Sequence, residues 1–438
     1  MITNTYTLDL NNVNIDNTDN NDFNIKKYTF NDTEYKIIKY NKEKLKNYEE
    51  TDKEKFNNIS HFRSVIVRDN KVVCYSPSKS INYESFKTNN ENIENIYIED
   101  FIDGTMINVF WDVVNETWEI ATRSTVGGNI IFFNDIKNYK YYKINNFFEN
   151  YNDSTFRTLF FEACNISNFD LNTLNRNFCY SFVLQHPLNR IVTNIIQPII
   201  FLVKAYSIDN TNYSNNIVKI NEIDVFSLVS QAPYIFANTN VKFVNKYPVE
   251  EYKTLEEYYL NDNIAYYIVG CMIYNKDGTR SKIRNKNYEI VKKLRGNQPK
   301  LQYNYLCLKQ ENKVNEFLTY YPEHRILFNK FKLETYNYTN ELFINYISCF
   351  VRKEKQLKEY DFEYKNHMFK LHEKYKSELK INNKNIDKKI VIDYVNSLHP
   401  AQQMFVINYK NKKKNESNFT EEPVQMEEPV QMEEPVQM

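Results

Sequence analysis

Apolar and polar residues alternate over residues 62–68, break at Asp69-Asn70, and alternate again over residues 71–75. A period of two on either side of a two-residue polar break predicts a β-hairpin. Pro77 closes its second strand, since proline has no amide for a ladder. The pattern recurs at residues 106–111 and 117–123, around a turn at 112–116, and stops at Gly127-Gly128. Further strands are predicted at 178–185, at 199–207 and at 265–274, the last closed by Asn275-Lys276-Asp277-Gly278. His186-Pro187 reads as a turn, with a new strand opening at Arg190-Ile191-Val192. Mixed apolar spacing predicts helix over residues 130–165, and residues 215–260 mix strand and helix.

The pattern changes near residue 312. Residues 315–380 are rich in Leu, Phe, Tyr, Lys and Glu, contain no Gly, and have Pro322 as their only proline. They predict consecutive helices, and residues 390–397 and 401–409 complete a helical C-terminal domain. Residues 1–25 are Asn- and Asp-rich and predict a loose leader; 41–55 are charged and weakly helical. The expected organisation is therefore α+β: an N-terminal extension (1–60), an antiparallel-sheet domain (61–311), an all-α domain (312–410) and a tail (411–438). The tail ends in three copies of Glu-Glu-Pro-Val-Gln-Met, and a proline every six residues predicts an extended acidic chain that could dock a protein partner.

Charge narrows the choices. Lys+Arg and Asp+Glu both number 56, so no global field draws the chain to a polyanion and any basic surface has to be local. Six scattered cysteines include no Cys-x-x-Cys pair, which argues against a cysteine metal site and for a reducing, cytoplasmic compartment. No apolar run is long enough to predict a bilayer span. Six glycines in the whole chain exclude a Gly-rich phosphate loop. The basic candidates are Arg280, Lys282 and Arg284, which alternation places on one strand face, and Lys292, Lys293 and Arg295 just beyond. Three cations on one face call for solvent or an anion, and phosphate is the natural partner. Arg123 and Arg190, each at a strand end, could hold phosphate or form a structural pair.

These blocks frame Ile102-Asp103-Gly104-Thr105-Met106-Ile107, and their order resembles the phage-type RNA ligases of the covalent nucleotidyltransferase family, closest to members from large DNA viruses. The other blocks are Thr122-Arg123-Ser124, Tyr180-Ser181-Phe182 with Asn189-Arg190-Ile191-Val192, Gly270-Cys271-Met272-Ile273, and Lys282-Ile283-Arg284 with Tyr288. The resemblance covers about residues 62–300. It implies an ATP-grasp-like ligase domain, ATP and Mg as cofactors, a lysyl-AMP intermediate and an RNA substrate. It also implies that Asp103, Gly104, Thr105, Arg123, Arg190, Lys282 and Arg284 bind nucleotide or phosphate, and that Arg280, Lys292, Lys293 and Arg295 contact nucleic acid.

The departures carry as much as the matches. Phe101 stands where the family has its nucleophilic lysine, and Val183 and Val269 stand where it has glutamates. A phenyl ring cannot attack phosphorus, and two valines cannot hold a metal. The expectation is an RNA-ligase-like protein that binds RNA, a nucleotide or another polyanion without lysyl-AMP chemistry, with no metal ligands predicted. Two alternatives stay open: an active ligase whose nucleophile has moved to Lys79 or Lys87, and a structural or virion-associated interaction protein.

Overall fold

A computed structural model describes residues 2–11, 13, 22–130, 154–211 and 216–417. The chain divides into two compact units after Lys292, earlier than the expected boundary at 311.

In the first unit β1 (Ile2–Asp9), β2 (Phe23–Phe30) and β3 (Thr33–Tyr40) precede α1 (Lys42–Thr51) and α2 (Lys53–Ser60). The hairpin β4 (Val65–Arg68) and β5 (Lys71–Cys74) follows, then α3 (Tyr83–Asn89), β6 (Tyr97–Asp100), β7 (Thr105–Asp112) and β8 (Thr117–Ala121). After α4 (Phe156–Ile166) come β9 (Phe178–Gln185), β10 (Ile199–Asp209) and β11 (Ile217–Ile223). The unit continues through α5 (Val225–Gln231), α6 (Pro233–Phe236), β12 (Lys242–Phe243), β13 (Lys246–Pro248) and α7 (Tyr252–Tyr259). It closes with β14 (Gly270–Tyr274), β15 (Arg280–Arg284) and the start of α8 (Lys286–Arg295).

These strands form three sheets, in the orders β1-β11-β10-β9-β7-β8, β13-β6-β14-β15 and β2-β3-β4-β5. All pairs are antiparallel except the short β10–β12 pair. The large sheet buries Ile107, Phe182, Leu184 and Leu202 against Leu159 and Phe160 of α4. The β6 sheet packs Ile98, Cys271 and Ile283 against Phe86 of α3 and Tyr252 of α7. The opposite face of that sheet is the one that bears the cations.

The second unit is helical among its described residues: α9 (Leu301–Gln310), α10 (Val314–Tyr320), α11 (Arg325–Tyr346), α12 (Phe362–Lys374), α13 (Lys388–Ser397) and α14 (Pro400–Ser417). Tyr338, Leu342, Met368, Leu371 and Val391 form its core.

Several expectations change. The loose leader contains β1, because Leu8 and Leu10 bury fully once β1 pairs with β11. The extension also supplies β3, whose Tyr35, Ile37 and Ile38 are core residues. No strand opens at Arg190: the amides of Val192 and Thr193 bond to a side chain instead of a ladder. Residues 265–269 are not strand either, since the Asn285 amide caps the carbonyls of Ala265 and Ile268. Lys87, one of the two alternative nucleophiles, lies on α3. Residues 411–417 continue α14 instead of starting an extended tail. The helix expected over 130–165 is described only as α4, and residues 131–153, like the three repeats at 421–438, lie outside the described residues.

Candidate functional site

The Asp103-Gly104-Thr105 stretch joins β6 to β7, and its polar groups are spent on the fold. The buried Asp103 carboxylate accepts the Val192 and Thr193 amides at 3.1 and 2.9 Å, and the Tyr288 hydroxyl at 2.7 Å. Burial and then the Asp103 charge push the Tyr288 phenol well above its ordinary range. Thr105 accepts from the Asn189 side chain at 2.7 Å. Gly104 has φ +152° and passes so close to β9 that a Cβ would lie 2.6 Å from the Leu184 carbonyl oxygen. Asp103 therefore fastens the 190–193 segment and α8 to the start of β7.

The chemistry lies on the neighbouring sheet face. Register sets Tyr97 beside Tyr274 and Arg280 in one row, and Glu99 beside Met272 and Lys282 in the next. Phe101, one residue past β6, continues the pattern with Gly270 and Arg284. Gly270 has φ +129°, and a Cβ there would meet the Ile283 oxygen at 1.9 Å. With no side chain between them, the Arg284 guanidinium lies over the Phe101 ring, 5.1 Å from its centroid. Phe101 is thus a platform for an arginine.

Cations crowd this face. Burial, then Arg284, Lys79, Arg63 and Lys292 push the Lys282 ammonium down to about 7. Burial, then Arg280 and Arg123 lower Arg63 to about 10. Lys79 is lowered by burial, then by Arg63, Arg280 and Arg123, against the pull of Glu49. Lys292 is lowered by burial and then by Arg284. Arg63 lies between α2 and β4, Lys79 between β5 and α3, and Arg123 just past β8, so three separate connections feed the group. Arg284 is paired with Glu289. Neither Arg63 nor Arg123 is paired with a carboxylate among the described residues; Arg123 lies over the Tyr40 ring at 5.5 Å. Like charges gathered on half-buried side chains are costly without a counter-anion.

The acidic side of the expected chemistry does not fit. Val183 and Val269 are buried apolar side chains, and Asp103 is buried and already accepts three hydrogen bonds. No group of three His, Cys, Asp or Glu among the described residues could hold a metal ion. The buried carboxylates nearby, Glu99 and Glu222, are held by Lys204 at 3.2 and 2.9 Å, and Tyr6 adds a 2.7 Å bond to Glu222.

The structure thus gathers Arg123, Lys282, Arg284 and Lys292, with Arg280 behind them. Arg280 is buried, and its Nε donates to the Ser78 carbonyl at 2.9 Å, so it supports the site instead of facing nucleic acid. Arg190 donates to the Val192 carbonyl at 3.0 Å. Lys293 and Arg295 fall in the second unit, and Arg295 is buried. Lys87 is tied to Glu256 at 2.7 Å, which raises its pKa. Sequence reasoning missed Arg63, His61 and Ser78. Arg63 stands just before β4 as a polar break ahead of an apolar run, a weak signal in the sequence.

No protein-family model matches the sequence, and no curated protein sequence matches it. Among solved structures, the chain is similar to an Aquifex aeolicus protein assigned as an ATP-dependent DNA ligase, with 12% identity and a TM-score of 0.34 over 81% of this chain and 77% of that one. It is also similar to a Naegleria gruberi RNA ligase variant with ATP and Mn, with 11% identity and a TM-score of 0.31 over 51% of this chain and 60% of that one.

Proposed function

We propose that the protein is a ligase-like phosphate-binding protein. Its cation group takes the terminal phosphates of a nucleotide or of RNA, without a lysyl-AMP at position 101. The observation that carries this is the convergence of Arg63, Lys79, Arg123 and Lys282, with no carboxylate paired to Arg63 or Arg123 among the described residues. A descent from phage-type RNA ligases of large DNA viruses, with a place in the host cytoplasm, belongs to the same reading and rests on the motif residues around Asp103. Phe101 and the two valines remove the amine and the carboxylates, while the basic strand β15 remains.

The test is a titration of the protein with ATP, pyrophosphate and matched RNAs bearing a 5′-phosphate or a 5′-hydroxyl. The 5′-phosphate should raise affinity by about tenfold or more, the scale of one charge-assisted contact. Equal affinity for the two RNAs, together with no binding of pyrophosphate, refutes the reading. A second reading, an active ATP-dependent ligase using Mg, is favoured by the lowered ammonium of Lys79 within the group and not by Lys87. An acid-labile adenylyl adduct lost in Lys79→Arg would replace the first reading with this one.

A further inference from the structure

Beside the cations lies a group that phosphate binding leaves unexplained. The Ser78 hydroxyl oxygen is 2.9 Å from His61 Nδ1 and 2.6 Å from the Tyr75 hydroxyl. Tyr75 is itself 3.3 Å from the same ring nitrogen. With the ring proton on Nε2, Nδ1 accepts the Ser78 proton while Tyr75 donates to the Ser78 oxygen. Burial pushes the imidazole down to about 4, which keeps that nitrogen free to accept at neutral pH.

Two short stretches of chain build the arrangement, and each brings one reactive group and one cation. His61 and Arg63 come from the segment before β4; Ser78 and Lys79 come from the segment after β5. The Lys79 amide donates to the Ser60 carbonyl at 3.0 Å and fastens the two together. The Ser78 carbonyl holds the Arg280 guanidinium, so a third cation is fixed to the nucleophile's own peptide. Ser78 is half-buried, whereas Tyr75 is wholly inside. A hydroxyl, a base within hydrogen-bond reach, and cations with spare charge are the parts of phosphoryl transfer to an oxygen nucleophile.

We propose that Ser78 accepts a phosphoryl group from a nucleoside triphosphate, with His61 as its general base. The Ser78 oxygen attacks the terminal phosphorus, and an O–P bond forms. The bond from that phosphorus to the bridging oxygen breaks, and a nucleoside diphosphate leaves with the electron pair. The Ser78 proton passes to His61 Nδ1 and then to solvent. Arg63 and Lys79 offset the charge on the transferred group, while Arg280 holds the Ser78 peptide in place. The inference rests on the phosphate-binding reading for its ligand, and goes beyond it in assigning a nucleophile.

The experiment is incubation of the full chain with magnesium ATP labelled at the terminal phosphate, followed by acid treatment and mass analysis of the peptide that contains Ser78. The expected result is an acid-stable phosphoester on Ser78, formed at a rate independent of protein concentration. Ser78→Ala should abolish it, Ser78→Thr should retain a hydroxyl and some label, and His61→Gln should slow labelling by about 10²–10⁴-fold. ATP binding is measured in the same samples. Binding without label in the wild type overturns the proposal and leaves the phosphate-binding reading standing; loss of binding removes both. Acid-labile label on a lysine or histidine, or label that survives in Ser78→Ala, also overturns it.

Discussion

At the scale of single residues, Asp103 and Lys282 have exchanged the weight that sequence assigns them. Asp103 lies in the part of the chain most like a ligase motif, yet its three accepted bonds hold the fold. Asp103→Ala strands two amides and a tyrosine hydroxyl, so it should cost roughly 2–4 kcal/mol in denaturant unfolding while changing anion affinity little. Lys282 carries the opposite expectation. Its ammonium is pushed to about 7 by burial and four neighbouring cations, so it is charged below that value and neutral above it. Anion binding should therefore weaken as pH rises from 6 to 8. Sulfate is the suitable probe, because it keeps its own charge across that range. Affinity should fall several-fold, and the fall should disappear in Lys282→Gln, which is neutral throughout. An unchanged pH profile in that variant would show that another group titrates.

At the scale of elements, β6, β14 and β15 explain both what the sequence disclosed and what it hid. Alternation along β15 is enough to put Arg280, Lys282 and Arg284 on one face, and the structure does so. Alternation cannot say how deep each one lies. Arg280 meets the Ser78 carbonyl because a connection some 200 positions away passes behind it, a tertiary fact with no local trace. The hairpins at β4–β5 and β7–β8 were legible because Asp69-Asn70 and the 112–116 turn interrupt a clean period of two. β1 was not legible, because its polar alternation becomes a strand only when β11 supplies the partner. Lys204 ties these sheets together, reaching from β10 to Glu99 on β6 and Glu222 on β11. Lys204→Met leaves two buried carboxylates uncompensated and should cost about 3–5 kcal/mol. Burial pushes Glu222 up, but Lys204 and Tyr6 outweigh it, so its carboxyl lies below the usual range. That contribution is present above the unfolded carboxylate value and is lost as pH falls through the folded one. The cost of Lys204→Met, read from urea melts, should therefore shrink as pH falls below the ordinary carboxylate range and Glu222 protonates. A cost that stayed constant with pH would mean that packing, not charge, makes the tie.

At the scale of the whole molecule, the balance of charge makes salt dependence informative. With 56 basic and 56 acidic residues, no long-range field adds to binding, so the salt slope counts only the local cations that replace counterions on the phosphates. For a single strand the slope is about −0.7 per phosphate neutralised. Arg63, Lys79, Arg123 and Lys282 could neutralise about four phosphates, for a slope near −3, or roughly a 50-fold loss of affinity between 50 and 200 mM salt. Arg284 is already committed to Glu289 and should add little. Removing one cation by Arg63→Gln should reduce the slope by about 0.7 and weaken all RNA sequences alike, since the contact is to phosphate and not to a base. A wild-type slope steeper than about −4 would require further phosphate contacts, and Lys292 would be the next residue to replace. Titration of a 5′-phosphorylated oligonucleotide over that salt range, in wild type and Arg63→Gln, decides between a compact anion site and an extended nucleic-acid track.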